Sequence, residues 1–117
     1  MKYIVVRDYN EAPDKPIKLE ENEKVEIREY SDLNGDWPNW VYCKSVSYEG
    51  WVPKQIIAIN GDTGLITEDY DATEFNLEVG EVILTQKSMN GWVWGTKESN
   101  LSSFGWAPLN HLKKIEE

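Results

Sequence analysis

The sequence predicts an all-β fold built as two consecutive small domains, and three observations carry that expectation. The chain states one set of landmarks twice: an Asp-Tyr pair, an acidic stretch, Trp-Val, a short polar gap and Gly-Trp-x-Pro. They fall at Asp8-Tyr9, Trp40-Val41 and Gly50 to Pro53, and again at Asp69-Tyr70, Trp92-Val93 and Gly105 to Pro108. Internal self-similarity of this kind marks a repeated structural unit. The spacers differ, with Trp51 to Trp106 separated by 55 residues, Trp40 to Trp92 by 52 and Tyr9 to Tyr70 by 61. Unequal spacers put the variation in loops, as two small domains would, rather than in a stacked solenoid. Finally, short β-rich runs recur along the chain without a convincing amphipathic helix.

Taken in order, Tyr3 to Val6 is a short apolar run, Val25 and Ile27 alternate with charged residues, and Trp40 to Tyr42 is aromatic and β-branched. Glu49 to Val52 leads into a proline, and Ile56, Ile57 and Ile59 supply a fifth strand after a Pro-Lys-Gln step that suits one helical turn. The second half repeats the series with Leu65 to Thr67, Val82 to Thr85, Trp92 to Trp94, Phe104 to Ala107 and Leu112 to Ile115. The stretch from Ile17 to Ile27 contains Asn22 and β-branched residues at a spacing that suits a strand at least as well as a helix. Short strands so closely spaced build a small barrel or sandwich.

Halves of about 58 residues can fold alone but with a small core. The six tryptophans, three to a half, carry much of the large apolar area available for it. Composition excludes several classes. No apolar run approaches the roughly 18 residues of a membrane span, and the mean hydropathy is −0.59. The amino terminus has too short an apolar run for a secretory signal core, so a cytoplasmic protein is expected, and the small size suits an intracellular bacterial one. Cys43 is the single cysteine and sits among apolar strand residues, where a core role is expected. The net charge is −9, with 8 basic and 11 acidic side chains in residues 1–59 and 4 and 10 in residues 60–117. That balance disfavours nucleic acid, which requires clustered Lys and Arg, and favours a basic protein or peptide.

Catalytic chemistry is not expected either. His111 is the only histidine, and the glycine-rich phosphate loop, HExxH and Gly-x-Ser-x-Gly are all missing. No metal or other cofactor is expected, since Asn60 to Gly64 lacks the later bidentate glutamate of a calcium loop. That segment, with its two glycines, reads as a linker.

In this order, the landmarks resemble the SH3 domain, a small five-stranded barrel whose binding face takes up proline-rich peptides. The family's Ala-Leu-Tyr-Asp-Tyr strand is echoed by Val5-Val6-Arg7-Asp8-Tyr9 and by Ile66-Thr67-Glu68-Asp69-Tyr70. Its Leu-Ser-Phe and Gly-Glu steps are echoed by Ile17-Lys18-Leu19 with Asn22-Glu23, and by Phe75-Asn76-Leu77 with Gly80-Glu81. Its Trp-Trp pair appears as Trp40-Val41 and Trp92-Val93, and its Gly-x-x-Pro end as Gly50 to Pro53 and Gly105 to Pro108. The resemblance covers practically the whole chain and implies two consecutive small five-stranded SH3-like barrels, residues 1–59 and 65–117, joined by residues 60–64.

What the resemblance implies for binding can be laid on these residues. A polyproline helix exposes flat side chains and free carbonyls, so a partner needs an aromatic groove and a hydrogen-bond donor. Tyr9, Trp40 and Pro53 are expected around one groove and Tyr70, Trp92 and Pro108 around the other, with the indole N–H of Trp40 or Trp92 as donor. Glu11 and Asp14 beside the first, and Asp71 and Glu74 beside the second, are expected to hold a ligand Arg or Lys. Trp37, set among the turn formers Asp36, Pro38 and Asn39, is either an exposed anchor or a lid folded over the barrel end. Trp51, Trp94 and Trp106 are expected in the core or barrel wall. The family's other proline pocket is not kept in aromatic form, since its two tyrosine positions are Arg7 with Ile56 in one copy and Glu68 with His111 in the other. The expected function is therefore non-catalytic binding of a protein or peptide, basic or proline-containing, by an intracellular adaptor or regulator. The alternative is an acidic inhibitor of immunity type that masks a basic toxin or enzyme. Cell-wall binding is disfavoured by the missing export signal.

Overall fold

A computed structural model describes residues 1–35 and 37–115, and among them the fold is all-β. Strands run in chain order as β1 (Lys2–Val5), β2 (Lys18–Leu19), β3 (Lys24–Tyr30), β4 (Trp40–Lys44), β5 (Glu49–Pro53), β6 (Ile57–Asn60), β7 (Thr63–Ile66), β8 (Tyr70–Asp71), β9 (Val82–Met89), β10 (Trp92–Lys97), β11 (Asn100–Pro108) and β12 (Leu112–Ile115). One 3-10 turn spans Lys54–Ile56, where the Pro-Lys-Gln step suggested it, and a second spans Leu109–His111. Two five-stranded sheets have the orders β11-β10-β9-β1-β12 and β5-β4-β3-β7-β6, and β2 pairs with β8 in a two-stranded sheet.

The strand pairing divides the chain differently from the expected residues 1–59, 60–64 and 65–117. Asn60 to Gly64 is not an extended linker, because β6 and β7 pair antiparallel with Asn60 opposite Thr63. The intervening Gly61-Asp62 makes the turn, and Gly61 takes φ 64°. A glycine at positive φ in the first central position is what a two-residue II′ hairpin asks for. The chain therefore forms a contiguous unit, Asp14–Ala72, and a split unit made of Met1–Pro13 and Thr73–Glu117. The two sheet orders are the same once β7 is matched with β1. Each unit thus takes its Asp-Tyr strand from the other half of the sequence.

A repeated set of hydrogen bonds ties each exchanged strand into place. In the split unit the Val5 N–H donates to Glu81 O at 2.8 Å and the Gly80 N–H to Val5 O at 2.9 Å. In the contiguous unit the Ile66 N–H donates to Glu23 O at 2.9 Å and the Asn22 N–H to Ile66 O at 2.7 Å. The aspartate of each Asp-Tyr pair caps the turn it faces. Asp8 Oδ1 accepts from the Val79 N–H and Asp69 Oδ1 from the Glu21 N–H, both at 2.8 Å. Gly80 and Asn22 at those turns take positive φ, a conformation open to glycine and tolerated by asparagine. The repeated Asp is therefore structural, satisfying a turn N–H of the opposite sequence half.

Each sheet folds around its own apolar interior. The contiguous unit buries Ile17, Val25, Val41, Cys43, Val52 and Ile66, and the split unit buries Val5, Leu77, Ile83, Val93 and Ala107. Side chains of this size stabilise by about 1.5–3 kcal/mol each when fully buried. The glycine of each Gly-Trp-x-Pro is explained here too: a Cβ on Gly50 would press on Ile17 and one on Gly105 on the Phe75 ring, both at 3.2 Å. Asn90-Gly91 turns β9 into β10 with positive φ at both residues, the I′ pattern preferred by Asn-Gly. A fragment of residues 14–72 is expected to unfold in one cooperative urea transition with dispersed amide resonances. A fragment of residues 1–59, which lacks β7, is expected to give neither.

Candidate functional site

Tyr9 is brought to its place by backbone bonds with Leu77, its N–H donating at 3.0 Å and its carbonyl accepting from the Leu77 N–H at 2.7 Å. Its ring meets Trp92 edge-on at 5.8 Å and His111 edge-on at 5.2 Å. The phenol donates to Glu74 Oε1 at 2.7 Å. Pro108 lies opposite Trp92 across the β10–β11 ladder. The split unit thus gathers Tyr9, Trp92, Pro108, His111 and Glu74, with the exposed Glu11 acting on this group through its charge.

The groupings expected from sequence are therefore re-sorted. Tyr9 joins Trp92 and Pro108 rather than Trp40 and Pro53, and Tyr70 shares the contiguous unit with Trp40 and Pro53, which face each other across β4–β5. The acids follow the exchange: Glu11 and Glu74 belong to the split unit, Asp14 and Asp71 to the contiguous unit. The other pocket positions re-pair as well. Arg7 now acts on His111, and the Val6 N–H donates to His111 O at 2.9 Å. Beside Glu68, the Thr67 N–H donates to Ile56 O at 2.8 Å.

The aromatic faces are more covered than a groove read from sequence implies. Tyr9 and Trp92 are each 7% exposed, Trp40 is 8% exposed, and Pro53 and Pro108 are fully buried. Trp37 is half-buried beside Asp36, which lies outside the described residues. Of the three tryptophans assigned to core or wall, Trp106 is buried and Trp94 half-buried, whereas Trp51 is 39% exposed. Alternation with Gly50 and Val52 does not by itself predict this exposure, because Trp106 stands in the same setting between Gly105 and Ala107 and is 4% exposed. Cys43 is fully buried, and burial pushes its thiol up to about 11.

Electrostatics in the split unit follow from partial burial. Burial raises the Tyr9 phenol, and the hydrogen bond and charge of Glu74 raise it further. Burial also raises the Glu74 carboxyl; the Tyr9 hydrogen bond opposes this and Glu11 adds to it. His111 is lowered below 6.5 by burial first and by Arg7 second, against a smaller opposing pull from Glu11. Asn110 Oδ1 lies 2.6 Å from His111 Nδ1, within hydrogen-bond distance.

A family model described as Variant SH3 domain matches residues 2–60. The chain belongs to the variant SH3 domain family. The match follows sequence order, so it takes β1 from the split unit and β2 to β6 from the contiguous unit. It identifies one such domain, and residues 61–117 lie outside it. Comparison with curated proteins and with solved structures gave no match. SH3 domains are protein-interaction modules, and that is the class to which the fold and family assign the chain.

Two outcomes test the split-unit site. Tyr9→Phe keeps the ring contacts but strips the half-buried Glu74 carboxylate of its donor, so urea unfolding should show a loss of about 1–3 kcal/mol. His111 should titrate by NMR with a midpoint below 6.5. Its contribution to stability is complete above the ordinary imidazole value and is lost as pH falls through its own lower midpoint. His111→Gln should remove that part of the acid loss.

Proposed function

We propose that the chain is a non-catalytic, intracellular adaptor or regulator that binds a basic or proline-containing segment of another protein. The observation that supports this most is the gathering of Tyr9, Trp92, Pro108 and His111 beside Glu74 and Glu11 in the split unit. Apolar ring surface next to carboxylates suits an extended peptide bearing a cationic residue, the rings supplying area and the acids orientation. Tyr70, Trp40 and Pro53 with Asp14 and Asp71 are the corresponding candidates in the contiguous unit, and Trp37 is a candidate anchor at its loop. A second reading, an acidic inhibitor that masks a basic protein through its charged surface, is favoured by the low exposure of Tyr9, Trp40 and Trp92 together with the net charge of −9.

The six indole N–H resonances give a direct test. Titration of the 15N-labelled chain with an arginine-containing proline-rich peptide should move the Trp92 or Trp40 indole saturably, and Trp92→Phe should weaken binding by about tenfold, a loss of about 1.4 kcal/mol. Static Trp92 and Trp40 indoles at saturating peptide would overturn the groove reading and leave the inhibitor reading.

A further inference from the structure

The outer faces of the two five-stranded sheets carry equivalent aromatic positions with opposite charges beside them. In the split unit Trp94 lies opposite Lys87 on β9 and Trp106 on β11, while Thr96 lies opposite Phe104. In the contiguous unit Tyr42 lies opposite Glu29 on β3 and Trp51 on β5, while Lys44 lies opposite Glu49. The matching is fixed by the proline pairs one step along, Trp92 with Pro108 and Trp40 with Pro53. Lys87 thus corresponds to Glu29, and Phe104 to Glu49.

The split unit fills its own aromatic site. Lys87 Nζ sits 6.0 Å from the Trp94 ring centre and 5.7 Å from that of Trp106, within reach for a cation held by ring faces. Phe104 stacks on Trp94 at 6.1 Å, and Trp106 is 4% exposed. In the contiguous unit the Tyr42 and Trp51 rings meet at 5.3 Å, but Trp51 is 39% exposed and carboxylates stand where the other unit has its lysine and its phenylalanine. Burial, Glu49 and then Glu29 all raise the Tyr42 phenol, which places both carboxylates in its electrostatic range. The cations of this face are Lys44, opposite Glu49 and Glu26, and Arg28, which pairs with Glu26 at 3.1 Å. Lys54 lies over Tyr30 instead, at 5.8 Å. The surrounding charge has the same sign as the site: residues 14–72 carry 6 basic and 13 acidic side chains, against 6 and 8 for the rest of the chain.

We propose that the outer face of β3, β4 and β5 is a docking site for a lysine or arginine side chain of a basic protein segment, with Trp51 and Tyr42 as ring walls and Glu29 and Glu49 as counter-charges. Lys87 in the split unit is the built-in example of the occupant. The site uses none of Glu11, Asp14, Asp71 and Glu74, and it lies on the same sheet face as Trp40 and Pro53, two residues along β4 and β5. It rests on the protein-binding reading for its biological partner but not for its chemistry.

The test uses the full 15N-labelled chain and an acetylated, amidated tetralysine peptide, which has no proline and so leaves the ring-to-proline contacts of the grooves unprobed. At low salt the Trp51 indole N–H should shift saturably while those of Trp40 and Trp92 stay fixed. Glu29→Lys, which installs the Lys87 arrangement at an exposed position, should weaken tetralysine binding by about tenfold, and Glu29→Gln should fall between. A Trp51 shift that rises linearly without saturation, or an affinity unchanged in both Glu29 variants, would overturn the proposal. A groove that ignores proline peptides while Trp51 still takes tetralysine would overturn only the groove reading.

Discussion

Everything in this molecule depends on where the two Asp-Tyr strands pair. Each five-stranded sheet needs a strand between its long hairpin and its closing strand, β1 between β9 and β12 and β7 between β3 and β6. Without it the carbonyls and N–H groups of both neighbours lose partners, and the aspartate cap and the Tyr9 or Tyr70 side chain leave with it. Because buried backbone groups must be paired, this placement decides which residues share a unit. The consequence reaches the candidate site directly: the tyrosine from the first half of the sequence works with the tryptophan and proline from the second.

The two units have diverged in chemistry while keeping one architecture. Backbone bonds at Val5 and Ile66, the aspartate caps at Val79 and Glu21, and the glycines beneath Ile17 and Phe75 repeat almost atom for atom. The outer sheet faces do not. One holds an internal cation against indoles, and the other sets acids around an open ring pair. The scaffold is under tight steric control at a few glycines and turns, and the solvent side of the strands is free to vary.

Legibility from sequence followed the range of the interactions. Strand runs such as Tyr3 to Val6 or Val82 to Thr85 were readable because alternation and β-branching act locally, and Pro53-Lys54-Gln55 announced its 3-10 turn for the same reason. Pairing was not readable in that way. Val5 to Tyr9 and Ile66 to Tyr70 offer the same backbone, cap and ring to either barrel, so local pattern holds no information about which they join. Gly61-Asp62 fits a linker or a II′ turn equally well until the partner strand is known. The role of Asp8 and Asp69 lay in contacts some fifty to seventy residues away in sequence, and the low exposure of Trp40 and Trp92 depends on packing that no residue type encodes by itself. The exposure of Trp51 was not readable from alternation either, since Trp106 repeats the Gly-Trp-x-Pro setting and is buried.

Interleaving also imposes an order of events on synthesis. β1 pairs with β12, Lys2 opposite Ile115, so the split unit cannot close until β12 has followed all the strands between them. The contiguous unit has all its strands once residue 72 is out. Its ends are drawn together there, with the Ala72 N–H donating to Ile17 O at 3.0 Å. A compact body then replaces a long flexible loop between β1 and β9, lowering the entropy cost of the most distant contacts in the molecule. The acidic unit in the middle of the sequence thereby serves as an assembly jig for the two segments that flank it in the chain.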